Sequence, residues 1–232
     1  MLDHHRRLTY YFLACCTAAA VGGCGAGLPS IAPAGLVPME PAAVAAWRAG
    51  FAPAGPRRYD LRWRFYTPKG STAGRATVRI APPDSLRFDY RGPFGRSGAA
   101  LLLGDSVVWA EPEKDVRELI PLAPLFWAAL GIPLAPPGGA VVAGLDGIER
   151  RAWREMVGGD TLDVVHTRTG AGRLLTQLRR GGVAASTEVR FGAERLPIQG
   201  EMRFPKDGAA FVFSIQAVDT TVVFDAATWR RP

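Results

Sequence analysis

Arg57–Thr67 reads RRYDLRWRFYT: the odd positions Tyr59, Leu61, Trp63 and Phe65 are apolar, and Arg58, Asp60, Arg62 and Arg64 alternate with them. A period of two sends successive side chains to opposite faces, so four hydrophobes line one side of a strand whose other side is charged. The pattern recurs in GRATVRIA, where Ala76, Val78 and Ile80 oppose Arg75, Thr77 and Arg79. It recurs again in SLRFDYR, with Leu86, Phe88 and Tyr90 set against Arg87, Asp89 and Arg91. Strands that are greasy on one face and wet on the other belong to antiparallel sheets.

Outward from this block, SGAALLLGDSVVWAEP reads as a hairpin turning at Gly104 and Asp105. The C-terminal half supplies IERRAWREM, TLDVVHTR, GRLLTQLRR, GVAASTEVRF, LPIQGEMRF, GAAFVFSIQAVDT and a last piece around TVVFD, separated by glycine-rich turns. That makes about eleven strands in a meander rather than in βαβ units. Small residues on inner faces, among them Ala184, Ala185, Gly200 and Ala209, suit a curved sheet around a hollow better than a tightly filled sandwich. Two stretches break the strand pattern. PAAVAAWRAGF, Pro41 to Phe51, reads as a helix with proline at its first position and Gly50 at its end. In LIPLAPLFWAALGIPLAPPGG, Leu122, Leu125, Phe126 and Ala129 stand at helical spacing and Trp127 and Leu130 widen the apolar face, giving a short, greasy helix before Gly131 and Pro133. The expected class is mainly β: a single domain of one curved antiparallel sheet with an N-terminal helix and a short apolar helix.

The N-terminus carries an address. His4, His5, Arg6 and Arg7 form a basic region, Leu8 to Val21 an apolar one, and Val21-Gly22-Gly23 precede Cys24. This is the layout of a bacterial lipoprotein signal peptide over residues 1–23, with Cys24 as the lipidated residue of the mature chain. The apolar run falls short of the ~20 residues a spanning helix needs, and cleavage before Cys15 would leave almost no apolar region. Gly25, in place of an acidic residue after the cysteine, points to the outer membrane. Residues 24–40, rich in Gly, Pro and Ala, read as a flexible tether to a domain over 41–232.

Composition narrows the chemistry. All three cysteines lie at or before Cys24, so the folded part offers no disulfide, thiolate nucleophile or cysteine-based metal site. Beyond the leader the only histidine is His166, which reads as structural. No metal or cofactor site is expected. Asp60, Asp84, Asp89 and Glu111 form no recognisable catalytic constellation, so no enzyme is expected. The net charge of +7 comes from arginines spread through the strands; without a nucleic-acid fold signature it favours anionic membrane headgroups over nucleic acid.

A lipobox, a tether, an N-terminal helix, DSLRFDYRGPFGRSGAALLL and then a Pro-Leu-rich helix ending in Leu-Gly-Ile-Pro together resemble the LolB family of outer-membrane lipoprotein receptors. The specific part covers residues 84–134, where Pro93-Phe94-Gly95 and Ser97 match the family's turn of Pro, Leu or Phe, and Gly followed closely by Ser or Thr; Phe94 stands where the best-known members carry leucine. The resemblance implies an unclosed, strongly curved sheet, capped by helices, around an apolar cavity for acyl chains. Leu61, Trp63, Phe65, Val78, Ile80, Leu86 and Phe88 would line that cavity, and Leu122, Leu125, Phe126 and Leu130 would form its lid. Phe94 would protrude and enter the membrane. The implied partners are acyl chains of lipoproteins or lipids, a periplasmic LolA-like carrier and the outer membrane, for a monomeric protein without covalent chemistry. Lipid transfer with non-lipoprotein cargo and a scaffold in an outer-membrane assembly stand as the alternatives.

Overall fold

The computed structural model describes residues 28–138, 140–170, 172–192 and 194–232. The leader and Cys24 lie outside the described residues. Among the described residues, thirteen strands and three α-helices follow one another as β1 (Val37–Pro38), α1 (Pro41–Ala49), β2 (Arg57–Thr67), β3 (Gly70–Ala81), β4 (Ser85–Arg91), β5 (Ser97–Leu103), β6 (Ser106–Glu111), α2 (Glu113–Leu119), α3 (Ala123–Ala129), β7 (Val141–Asp146), β8 (Arg150–Val157), β9 (Asp160–Thr167), β10 (Arg173–Arg180), β11 (Val183–Phe191), β12 (Pro197–Phe204) and β13 (Ala209–Asp219).

The strands form one antiparallel sheet in the order β1-β7-β8-β9-β10-β11-β12-β13-β2-β3-β4-β5-β6. It is unclosed, since β1 and β6 are separate edges. Most neighbours are sequential hairpins; β13 against β2 joins the C-terminal half to the N-terminal one. Two strands exceed the expected number. β1 is too short to carry a period, and β7, VVAGLD, is interrupted by Gly144. Conversely TVVFD forms no strand, and a short 3-10 turn follows it at Ala226–Trp229.

The concave face carries the core. Tyr59, Leu61, Val78, Ile80, Leu86, Phe88, Phe211 and Phe213 are buried there in one cluster with all three helices. In α1 the proline starts the helix and Val44 is the buried contact. α2, EKDVREL, reads from its composition as a charged connection, yet it buries Val116 and Leu119 at helical spacing. α3 lies inside the curve with six of its seven residues buried, and Trp127 Nε1 donates to the Gly104 carbonyl at 2.9 Å, pinning it to the β5–β6 hairpin.

Two terminal segments cover the convex face. Part of the expected tether is held on the sheet: Gln177 Nε2 donates to the Pro29 carbonyl at 2.9 Å, and Ser30 Oγ donates to Asp163 Oδ2 at 3.2 Å. Asp163 is completely buried and also receives Arg154 at 2.6 Å. At the other end, Arg87 donates to the carbonyls of Thr228 and Arg230, both at 2.7 Å, and Trp229 packs on Ala99, Leu101 and Trp109. No helix among the described residues is long and apolar enough to cross a membrane.

Candidate functional site: a mixed cleft with a cationic mouth

α3 ends in a tight reversal. Gly131 adopts φ +82°, and a Cβ there would lie 2.9 Å from the Phe191 ring. Only glycine gives both the left-handed backbone and the clearance. The reversal sends Ile132 back beside Leu130, and both line a cleft of about 470 Å³ with Phe51, Tyr59, Phe191, Leu196 and Pro197. That volume lies within the roughly 300–1,000 Å³ of small-molecule sites. Arg57, Arg168, Glu194 and Arg195 complete its lining. Arg195 holds φ +57°, a left-handed conformation that non-glycine residues seldom adopt.

His166, read as structural from the sequence, is buried on β9 and faces this cleft, its ring edge-on to Phe51 at 5.0 Å. Burial, followed by the positive fields of Arg195, Arg168 and Arg151, holds its pKa below the ordinary value. It is therefore kept neutral near pH 7. Tyr59 is fully buried, and its hydroxyl meets no hydrogen-bond partner among the described residues. An orphaned hydroxyl in a cleft wall is a group that a ligand or a water can satisfy. Chemically the cleft offers a lining of mixed polarity, with the Arg57 and Arg195 guanidinium groups, a third at Arg168 that already donates to Asp146 at 2.8 Å, and one carboxylate, Glu194. This combination fits an amphiphile with a negative or strongly polar head.

The residues expected to line a cavity lie together in the packed core, and none of the seven lines the cleft. Leu61, Trp63, Phe65, Val78, Ile80, Leu86 and Phe88 are buried side by side on the concave face. Leu125, Phe126 and Leu130 of the expected lid are buried against them, and Leu122 packs partly buried at the helix start. Phe126 meets Phe88 edge-on at 5.2 Å and lies 6.4 Å from both Phe211 and Phe213. Floor and lid thus touch, and the open volume is displaced to the C-terminal end of α3. One weakness lies beneath the helix: Thr176 and Thr187 face each other across β10 and β11, and neither buried hydroxyl finds a partner among the described residues.

Pro93, Phe94 and Gly95 form a 3-10 turn between β4 and β5, closed by Gly92 N–H donating to the Arg96 carbonyl at 2.7 Å and Arg96 N–H to that of Pro93 at 3.2 Å. Phe94 sits at φ 56°, ψ 32° with its ring fully exposed. A left-handed residue other than glycine costs about 1–2 kcal/mol, and an unburied ring forgoes about 1.5–3 kcal/mol of apolar transfer. The turn holds out a side chain that gains nothing from water. No sequence signal joins Phe51, Ile132, Arg168, Phe191 and Arg195 into one site, because four separate segments bring them together.

No family model matches the chain, and no curated protein does. Among solved structures the chain is similar to a LolA-superfamily protein from Nitrosomonas europaea, with 12% identity over 83% of this chain and 98% of that one, at a TM-score of 0.48. It is also similar to a protein domain from Vibrio parahaemolyticus described as outer-membrane lipoprotein-sorting, with 7% identity over 81% and 94% of the two chains, at a TM-score of 0.40. A DUF1329-family protein from Desulfovibrio piger aligns at 9% identity over 81% and 95%, at a TM-score of 0.34.

Proposed function

We propose that this protein is a lipid-anchored receptor that holds acyl chains reversibly in its cleft and takes part in delivering lipoproteins to the outer membrane, without covalent chemistry. The observation that carries the reading is the 470 Å³ cleft at the exit of α3, continuous with a helix whose neighbours are almost wholly apolar. An acyl chain entering beside Leu130 and Ile132 leaves water at about 25 cal/mol per Å² of apolar surface. Lifting α3 from its seat over Thr176 and Thr187 extends that space toward Phe88 and Phe213. Cys24 carries the anchor, Phe94 enters the bilayer at release, and a periplasmic LolA-like carrier supplies the cargo.

The test is titration with a dansyl-labelled fatty acid. Saturable binding that weakens at least about tenfold in Ile132→Glu, with folding unchanged, is the expected result; no binding by the folded protein would overturn the reading. The cationic mouth favours a second reading, in which the cargo is an anionic lipid rather than a lipoprotein. Native mass spectrometry of the purified protein separates the two by the mass of what stays bound.

A further inference from the structure

The convex face of β2, β3 and β4 carries an arrangement that neither the cleft nor the core explains. Arg62 pairs in register with Arg75, and Arg75 with Arg91. Three arginines therefore stand side by side on adjacent strands, each about 4.8 Å from the next. Like charges directly opposite one another destabilise a sheet, and all three side chains are exposed. None forms an ion pair or side-chain hydrogen bond among the described residues.

The other arginine row on the same face provides the contrast. Arg58, Arg79 and Arg87 also pair in register, but Asp60 receives Arg58 and Asp89 receives both Arg79 and Arg87. The sheet thus pairs every arginine of one row with a carboxylate and leaves the other row bare. A broad groove runs over both, lined by five arginines against three carboxylates, Asp60, Asp89 and Glu111. Asp60 and Asp89 are already engaged by the paired row. Beyond Arg91, the chain passes directly into the turn that holds out Phe94, and Ser97 returns as the register partner of Arg91.

We infer that Arg62, Arg75 and Arg91 form a binding row for the phosphates of anionic phospholipids, seating this face of the sheet on a bilayer. Charge complementarity identifies the chemistry, since three unneutralised guanidinium groups offer forked donors to phosphate oxygens. The adjoining exposed phenylalanine identifies the source, because an apolar ring beside the row leaves water when it enters the acyl boundary of a bilayer. The row deepens the membrane-delivery reading and rests on it, yet it fails or stands separately from the acyl cleft.

The experiment uses the full chain carrying Cys24→Ala, which takes away the proposed acylation point. Flotation is measured with phosphatidylcholine vesicles and with vesicles containing phosphatidylglycerol. Basic side chains near an anionic surface each add about fivefold to binding, so the anionic vesicles should bind at least about tenfold better, and the gain should fade at high salt. R62Q/R75Q/R91Q should lose most of that gain while melting no lower than the parent. The charge-matched R117Q/R150Q/R190Q should keep it. Full binding by the first triple variant, equal loss in both, or the same three-residue dependence for a nucleic-acid oligomer instead of vesicles would each overturn the inference. Phe94→Glu, dansyl-fatty-acid binding and the first triple variant report separately on the turn, the cleft and the row.

Discussion

Gly200 shows how little slack exists where α3 meets the sheet. An added Cβ would lie 2.4 Å from the Ala129 carbonyl oxygen and 2.4 Å from the Phe213 ring. Gly200→Ala should therefore cost about 1–3 kcal/mol and lower the melting temperature by roughly 2–4 °C for each kcal/mol. Gly55→Ala, where nothing lies within 4 Å and φ is ordinary, should leave melting unchanged or slightly raised; scanning fluorimetry on the pair is the check. At His166 the prediction concerns pH. Its folded pKa lies below the free value of 6.5, so between the two the unfolded chain binds a proton that the folded chain refuses. Stability should fall as pH drops from about 7 toward that lowered pKa, and His166→Gln should flatten this limb in urea titrations. Asp60 and Asp146, held low chiefly by Arg58 and Arg151, act only further down, below their ordinary 3.8. The sequence disclosed that His166 lacks an obvious catalytic partner, but not its place in a cleft wall, since Phe51 and Arg195 reach it from distant segments.

At the level of elements, α3 and the N-terminal segment are attached in opposite ways. α3 adheres mainly through apolar side chains, with Trp127 as its side-chain hydrogen bond to the sheet hairpin. Its amides should exchange with deuterium through a partial opening, faster than those of the central pair β2 and β3, and acyl ligand should alter α3 protection first. Removing the buried Phe126 ring by Phe126→Ala should cost about 3–5 kcal/mol. The Leu28–Ile31 segment is instead strapped down by polar contacts to Asp163, Gln177 and Arg179. Asp163→Ala should cost about 2–4 kcal/mol, read by urea unfolding, with earlier protease cleavage near Ser30. Elements with a clean period were legible in the sequence: β2, β3, β4 and the apolar run of α3. α2 was not, because EKDVREL has only Val116 and Leu119 to mark a buried face among five polar residues.

For the whole molecule, the decisive junction is β13 against β2, with partners running from Ala210–Tyr66 to Asp219–Arg58. Alternating strands made a curved antiparallel sheet readable in advance, whereas this long-range pairing leaves no local signature. Deleting residues 209–219 should leave β2 and β12 as two bare edges, and the product should aggregate rather than form a smaller folded domain; size-exclusion chromatography after refolding is the check. The same junction ties maturation to the order in which the chain emerges. A strand laid down early, at residues 57–67, waits for its neighbour until residues 209–219 have appeared, and contacts so distant in sequence form slowly. Through that interval the nascent protein is two halves, each with an adhesive flank, and its safe arrival depends on whatever shields those flanks along the way.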